Sequence, residues 1–185
     1  MVGRLLLAGL AVLFAGCVPV VEAEFSRIEV SRPDISIPGA PSSSISSVTF
    51  NFTIDSASLG ANWKLENQDN IIEVDLHRLA FTAKGGVTDV SFIQTLHALA
   101  CVPISKSSTL SSRQVEIADY SRQDKPPPSP TFEVPLLEPV NLLPLIRPAK
   151  SEPKKILVIV NFGGTLPTSD WQADVSMSLS VRFRQ

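Results

Sequence analysis

The chain has 185 residues, with 16 Lys plus Arg against 18 Asp plus Glu, a formal net charge of -2. That length is sufficient for one domain with a sizeable core. Weak acidity and scattered basic residues give no electrostatic footprint for DNA or RNA, so nucleic acid is not an expected partner.

The first element is an export signal. Arg4 is the only charge before Glu22, Leu5 to Phe14 contain nothing polar, and Ala15-Gly16-Cys17 follow. A positive end, a short apolar run and small residues before a processing point describe a signal peptide. The run is shorter than the roughly 20 residues a membrane-spanning helix needs.

Leu13-Phe14-Ala15-Gly16-Cys17 resembles the lipobox of bacterial lipoproteins, with Phe14 in place of the usual aliphatic residue. The resemblance implies a diacylglycerol thioether on Cys17, cleavage before it and acylation of the new amino group. Two or more acyl chains anchor durably where one does not. Valine at position 18, where aspartate would imply retention at the inner membrane, is compatible with the outer one. The expected organisation is a signal peptide at 1–16, a lipid-anchored segment and tether at 17–47, and a β-sandwich at 48–185.

Within the tether, Pro33, Pro38, Pro41 and the serines of Ser42–Ser47 favour extended or irregular backbone across Arg32–Ser47. A short first strand is expected around Phe25–Val30. Val48, Phe50, Phe52 and Ile54 then alternate with Thr49, Asn51 and Thr53, the period of a half-buried strand. Asn51-Phe52-Thr53 matches a glycosylation acceptor, which the bacterial signal and the strand context mark as coincidence.

Ile72, Val74 and Leu76 share one phase, and Leu79, Phe81 and Ala83 the other; a slip of one position predicts a β-bulge or strand break. Lys84-Gly85-Gly86 reads as a turn. Phe92–Leu99 fits a helical stripe through Phe92, Leu96 and Leu99, or a strand through Leu96, Ala98 and Ala100. Gln114–Ala118 is a second ambiguous strand. Lys125–Pro130, with its proline triplet, is a stiff loop between strands. Lys155–Phe162 is a concentrated β-former run, followed by an expected turn at Gly163-Gly164. From Trp171 to Phe183 seven apolar residues alternate with polar ones, which excludes an amphipathic helix. The last two strands are expected to pair through a loop. Together these elements predict an all-β chain, an immunoglobulin-like or related β-sandwich. The lipobox, the prolines and the few convincing strands argue against a transmembrane barrel.

Chemistry-bearing residues are sparse. With Cys17 lipidated, Cys101 has no internal disulfide partner and reads as a small buried apolar residue; without lipid, a Cys17–Cys101 bridge would be open. Asp75 with His77, and His97 with Cys101, share no spacing that makes one metal site. No serine sits in a nucleophile elbow, and Gly163-Gly164 lacks a phosphate-loop context. No catalytic residue, metal or cofactor is therefore expected. Trp63 and Tyr120 are candidate contacts for a glycan or protein, whereas the phase of Trp171 places it in the core. The expected role is a lipid-anchored cell-envelope module, structural or protein-binding. Its partners are membrane lipid through acylated Cys17 and an envelope protein. A glycan-binding module is the alternative, and an enzyme the third.

Overall fold

The structure is a computed structural model that describes residues 22–55, 71–102, 114–122, 124, 127–138, 140–146 and 155–184. In chain order it contains β1 (Glu22–Ile37), β2 (Ser46–Asp55), β3 (Ile71–Lys84), β4 (Ile93–Cys101), β5 (Gln114–Ser121), β6 (Thr131–Glu133), β7 (Val140–Asn141), α1 (Leu143–Ile146), β8 (Lys155–Gly164) and β9 (Trp171–Arg184). Among the described residues no helix is long and apolar enough to cross a membrane.

Two antiparallel sheets pack face to face, the β-sandwich expected from alternation. One has the order β1-β9-β3-β6, with β7 also on β3; the other has the order β2-β8-β4-β5. With β6 and β7 sharing one position along β3, this is the eight-position arrangement of a jelly roll. An immunoglobulin sandwich instead places its first strand beside its second, in the order ABED, whereas β1 and β2 lie in different sheets here. The immunoglobulin expectation is therefore corrected at the level of strand order, while the all-β sandwich stands.

The alternating residues of β2 and β9 face inward as expected: Val48, Phe50, Phe52 and Ile54 from one sheet, Trp171, Ala173, Val175, Met177, Leu179 and Val181 from the other. Between the layers Phe81 meets Phe162 edge-on at 5.2 Å between ring centroids and Phe50 at 5.9 Å; Phe162 stacks on Trp171 at 6.4 Å. Each such ring removes a large apolar area from water, worth roughly 2–3 kcal/mol.

The phase slip in β3 is a bulge in a continuous strand. The pairing with β9 shifts between Leu76 and Arg78, so Leu76 and Leu79 both point inward. A second shift between Ile71 and Glu73 buries Ile71, where the sequence pattern had placed Ile72. Residues 93–101 form a strand, in which Leu96, Ala98 and Ala100 are buried together with Ile93 and Cys101. Gly85 and Gly86 adopt positive φ, the turn their sequence implies.

Two local expectations are overturned. Strands β8 and β9 do not pair: β8 lies between β2 and β4, β9 between β1 and β3, and the 165–170 connection crosses from one sheet to the other. That loop is tied across the end of the sandwich by Ala40 N–H donating to Pro167 O at 2.7 Å and Gly39 N–H to Asp170 Oδ1 at 2.8 Å. Gly163 and Gly164 are not a turn either. They close β8, pairing with Ser47 and Ser46 on one side and with Thr95 and Ile93 on the other.

At the other end of the chain, β1 follows β9 from Glu22 to Ile37, longer than the short strand expected at Phe25–Val30. Register shifts at Phe25/Ile28 and Arg32/Ile35 absorb the irregular residues, Pro33 among them, with Asp34 at φ 56°. The Arg32–Ser47 stretch thus divides: Arg32–Ile37 completes β1, Ser46 and Ser47 open β2, and 38–45 connect the sheets. The sandwich accordingly includes residues ahead of Val48. The part of the proline-rich loop that is described, 127–130, is held by Asp89, whose Oδ1 accepts from Ser129 N–H at 3.0 Å and from Ser91 N–H at 2.7 Å.

Candidate functional site

Inward burial of alternate residues leaves the other half of β3 and β9 on the outer face of their sheet, and there the register builds a polar ladder. Glu73 lies opposite Arg182, and its Oε2 meets Arg182 NH1 at 2.7 Å. Asp75 lies opposite Ser180 on one side and Asn141 on the other. The bulge then turns His77 toward Ser180, with Nε2 and Oγ 2.8 Å apart. The Ser180 hydroxyl belongs to a buried residue while the imidazole above it is exposed. Arg78 pairs with Glu133 at 3.3 Å, and Thr82 with Thr131 at 3.1 Å.

The ladder ends in a cluster that pins the β1 bulge. Lys84 Nζ lies 2.7 Å from Asp34 Oδ1 and 3.4 Å from Asp174 Oδ1, and Asp34 N–H donates to Asp174 Oδ1 at 2.9 Å. The hydrogen bond to Asp34 raises the pKa of Lys84, while the Asp34 backbone donor, helped by the Lys84 charge, lowers that of Asp174. These are exposed pairs that orient the bulge more than they stabilise it.

Asp75 is the strained member. Its Oδ1 is buried with no hydrogen-bond partner among the described residues. Its pKa is raised from 3.8 by burial first and by the Glu73 charge second, against opposing pulls from His77 and Arg182. Because the folded-state pKa lies above the unfolded one, the folded protein holds this proton more tightly, and stability falls as pH rises from about 4 through the folded-state value. Asp75→Asn removes the charge and keeps the shape. Its urea midpoint at pH 7 is expected to rise, with the gain shrinking toward pH 4. A constant gain at both pH values would contradict this account.

The other candidates from the sequence are dispersed. Cys17 and Trp63 lie outside the described residues. Tyr120 on β5 is half-buried, its ring 5.5 Å from that of Phe132. His97 is exposed on β4 in the opposite sheet from His77, 3.2 Å from Glu116 Oε1. Cys101 is buried, with no disulfide partner among the described residues, four strand residues or about 13 Å along from His97, and burial raises its thiol pKa. Trp171 sits in the core. Ser180, Arg182 and Asn141 join the ladder without a sequence signal of their own, since only the register sets them opposite Asp75, Glu73 and His77.

A separate open groove of about 480 Å³ runs between β1 and β2, where Arg32, Ile35, Phe52 and Thr53 come together. Arg32 Nε crosses it to donate to Thr53 O at 3.0 Å.

The chain matches no protein-family model and no curated protein. Among solved structures it is similar to a chain of Desmodium yellow mottle tymovirus, with 13% identity and a TM-score of 0.31, covering 99% of this chain and 94% of that one. It is also similar to a chain of Mud crab tombus-like virus, with 7% identity and a TM-score of 0.29, covering 89% and 90%. Both superpositions are loose; the architecture is defined by the strand order within the two sheets.

Proposed function

We propose that this chain is a lipid-anchored β-sandwich of a bacterial cell envelope, with a structural or protein-interaction role. The observation that carries it is the lipobox-like Leu13-Phe14-Ala15-Gly16-Cys17, with β1 opening only five residues later at Glu22, opposite Arg184. Five extended residues span at most about 17 Å, so lipid on Cys17 would tether this end of the sandwich within that distance of the bilayer. The opposite end, with its bonded 38–45 and 165–170 loops, and the polar outer face of the β3-β9 sheet are then presented to an envelope partner. Val18 favours the outer membrane. The protein acts in this reading by residence and contact, with no catalytic step.

Fatty-acid labelling and membrane fractionation of the full chain beside Cys17→Ser test it. Label and membrane association are expected in the first and lost in the second. Two chains equally unlabelled and soluble after export would overturn the anchor.

A further inference from the structure

Among the described residues the sandwich has four sheet edges, formed by β1, by β6 with β7, by β2 and by β5. An edge strand offers backbone donors and acceptors to any passing strand, and folded proteins usually blunt it. Three of these edges are blunted. The β1 edge has two register shifts, Pro33 and the positive-φ Asp34. The β6 edge is three residues long. The β5 edge carries Glu116 and Asp119, and Ile117 O already accepts Leu137 N–H at 2.9 Å.

The β2 edge is different. From Ser46 to Ile54 it contains no charge, proline or glycine, and its ten pairs with β8 run without a shift. Since Arg32 reaches Thr53 O, that carbonyl points away from β8. N–H and C=O of one residue in an antiparallel strand point the same way and alternate along it. The main-chain groups of Ser47, Thr49 and Asn51 therefore also point outward, where β2 is the terminal strand among the described residues.

We infer that this edge pairs, antiparallel and across a two-fold axis, with the same edge of a second copy of the chain, Thr49 opposite Thr49 and Ser47 opposite Asn51. This deepens the protein-interaction part of the proposed function and does not depend on the lipid. A two-fold interface must be self-complementary, and an edge of Ser, Thr and Asn meets itself without like charges. The register follows from two features. Thr53 O is engaged by Arg32, which leaves the pairing centred on Thr49. That centre also sets Ile45 of one copy opposite Thr53 of the other, beside the groove of Arg32, Ile35 and Phe52. Ile45 is 77% exposed, a large apolar side chain one residue ahead of β2. Pairing covers it and joins the two four-stranded sheets into one.

The test uses the full chain carrying Cys17→Ser, which keeps it separate from the anchor. Directly opposed Cα atoms in a hydrogen-bonded pair lie about 5.5 Å apart, within disulfide range. Thr49→Cys is expected to give a disulfide-linked homodimer under mild oxidation, and Asp119→Cys on the opposite edge is expected to give none. Adding Ile45→Asp, which alters an exposed residue, is expected to lower the dimer yield roughly tenfold by removing the buried side chain. Sedimentation of the chain without an added cysteine reads the same loss of self-association on Ile45→Asp, with the far-ultraviolet circular dichroism spectrum unchanged. Equal dimer yields from both cysteine positions, capture only of other proteins at Thr49→Cys, or indifference to Ile45→Asp would each overturn the pairing.

Discussion

Phe81→Ala is expected to cost about 3–5 kcal/mol, the range for truncating a buried phenylalanine, and so a large part of the roughly 5–15 kcal/mol that holds a domain folded. Phe81 is fully buried. It is also the ring of the β3 sheet that meets Phe50, Phe52 and Phe162 of the other sheet, at 5.2–6.5 Å. Its loss leaves a void bordered by three rings on stiff strands, which cannot close over it. Urea denaturation of the variant should show a strongly lowered midpoint with an unchanged slope. A loss below 1 kcal/mol would mean that the two sheets are not joined through this ring. Phe92→Ala is the comparison, since Phe92 is half-buried at the rim and contacts Trp171 edge-on at 5.5 Å; its cost is expected to be smaller.

Gly164→Ala is expected to be nearly as damaging, by about 3 kcal/mol or more from strain and overpacking together. Gly164 has φ 145°, a region side-chain-bearing residues rarely adopt. A Cβ there would also collide with the Phe92 carbonyl oxygen and press on Gln94 N, both backbone atoms that cannot step aside. Gly86→Ala separates the two causes. Gly86 has φ 92°, but the nearest atom to an added Cβ is Asp170 O at 3.9 Å, so only backbone strain applies. Thermal melts of the two variants should rank Gly164→Ala clearly below Gly86→Ala. Equal melts would show that the close approach of β8 to the 92–94 backbone is not rigid.

Much of the fold was legible in the sequence because a strand writes its two faces into alternate residues. Trp171 to Val181 and Val48 to Ile54 face as their spacing says, and the slip between Leu76 and Leu79 marks the bulge where the pairing register shifts. The same logic failed at Gly163-Gly164, where glycine serves a close backbone approach inside a sheet and the sequence carries no sign of the neighbour that requires it. At 92–100 a short apolar run satisfied two periods, and pairing with β5 and β8 decided for the strand. The polar ladder was half visible. Glu73, Asp75 and His77 alternate on one strand, but their partners Arg182 and Ser180 stand more than 100 residues away.

By itself, then, the sequence determined the all-β class, most of the inward-facing residues, the phase slip in β3 and the lipobox resemblance at Cys17, because each of these is written in residue type and local period. Only the tertiary structure decided which strand lies beside which. Backbone hydrogen bonds are the same for every residue but proline, so an apolar face specifies that it is buried without naming the strand at its side. That is why β8 and β9, adjacent in sequence and matched in character, were expected to pair and instead lie in opposite sheets, facing each other across the core through Phe162 and Trp171.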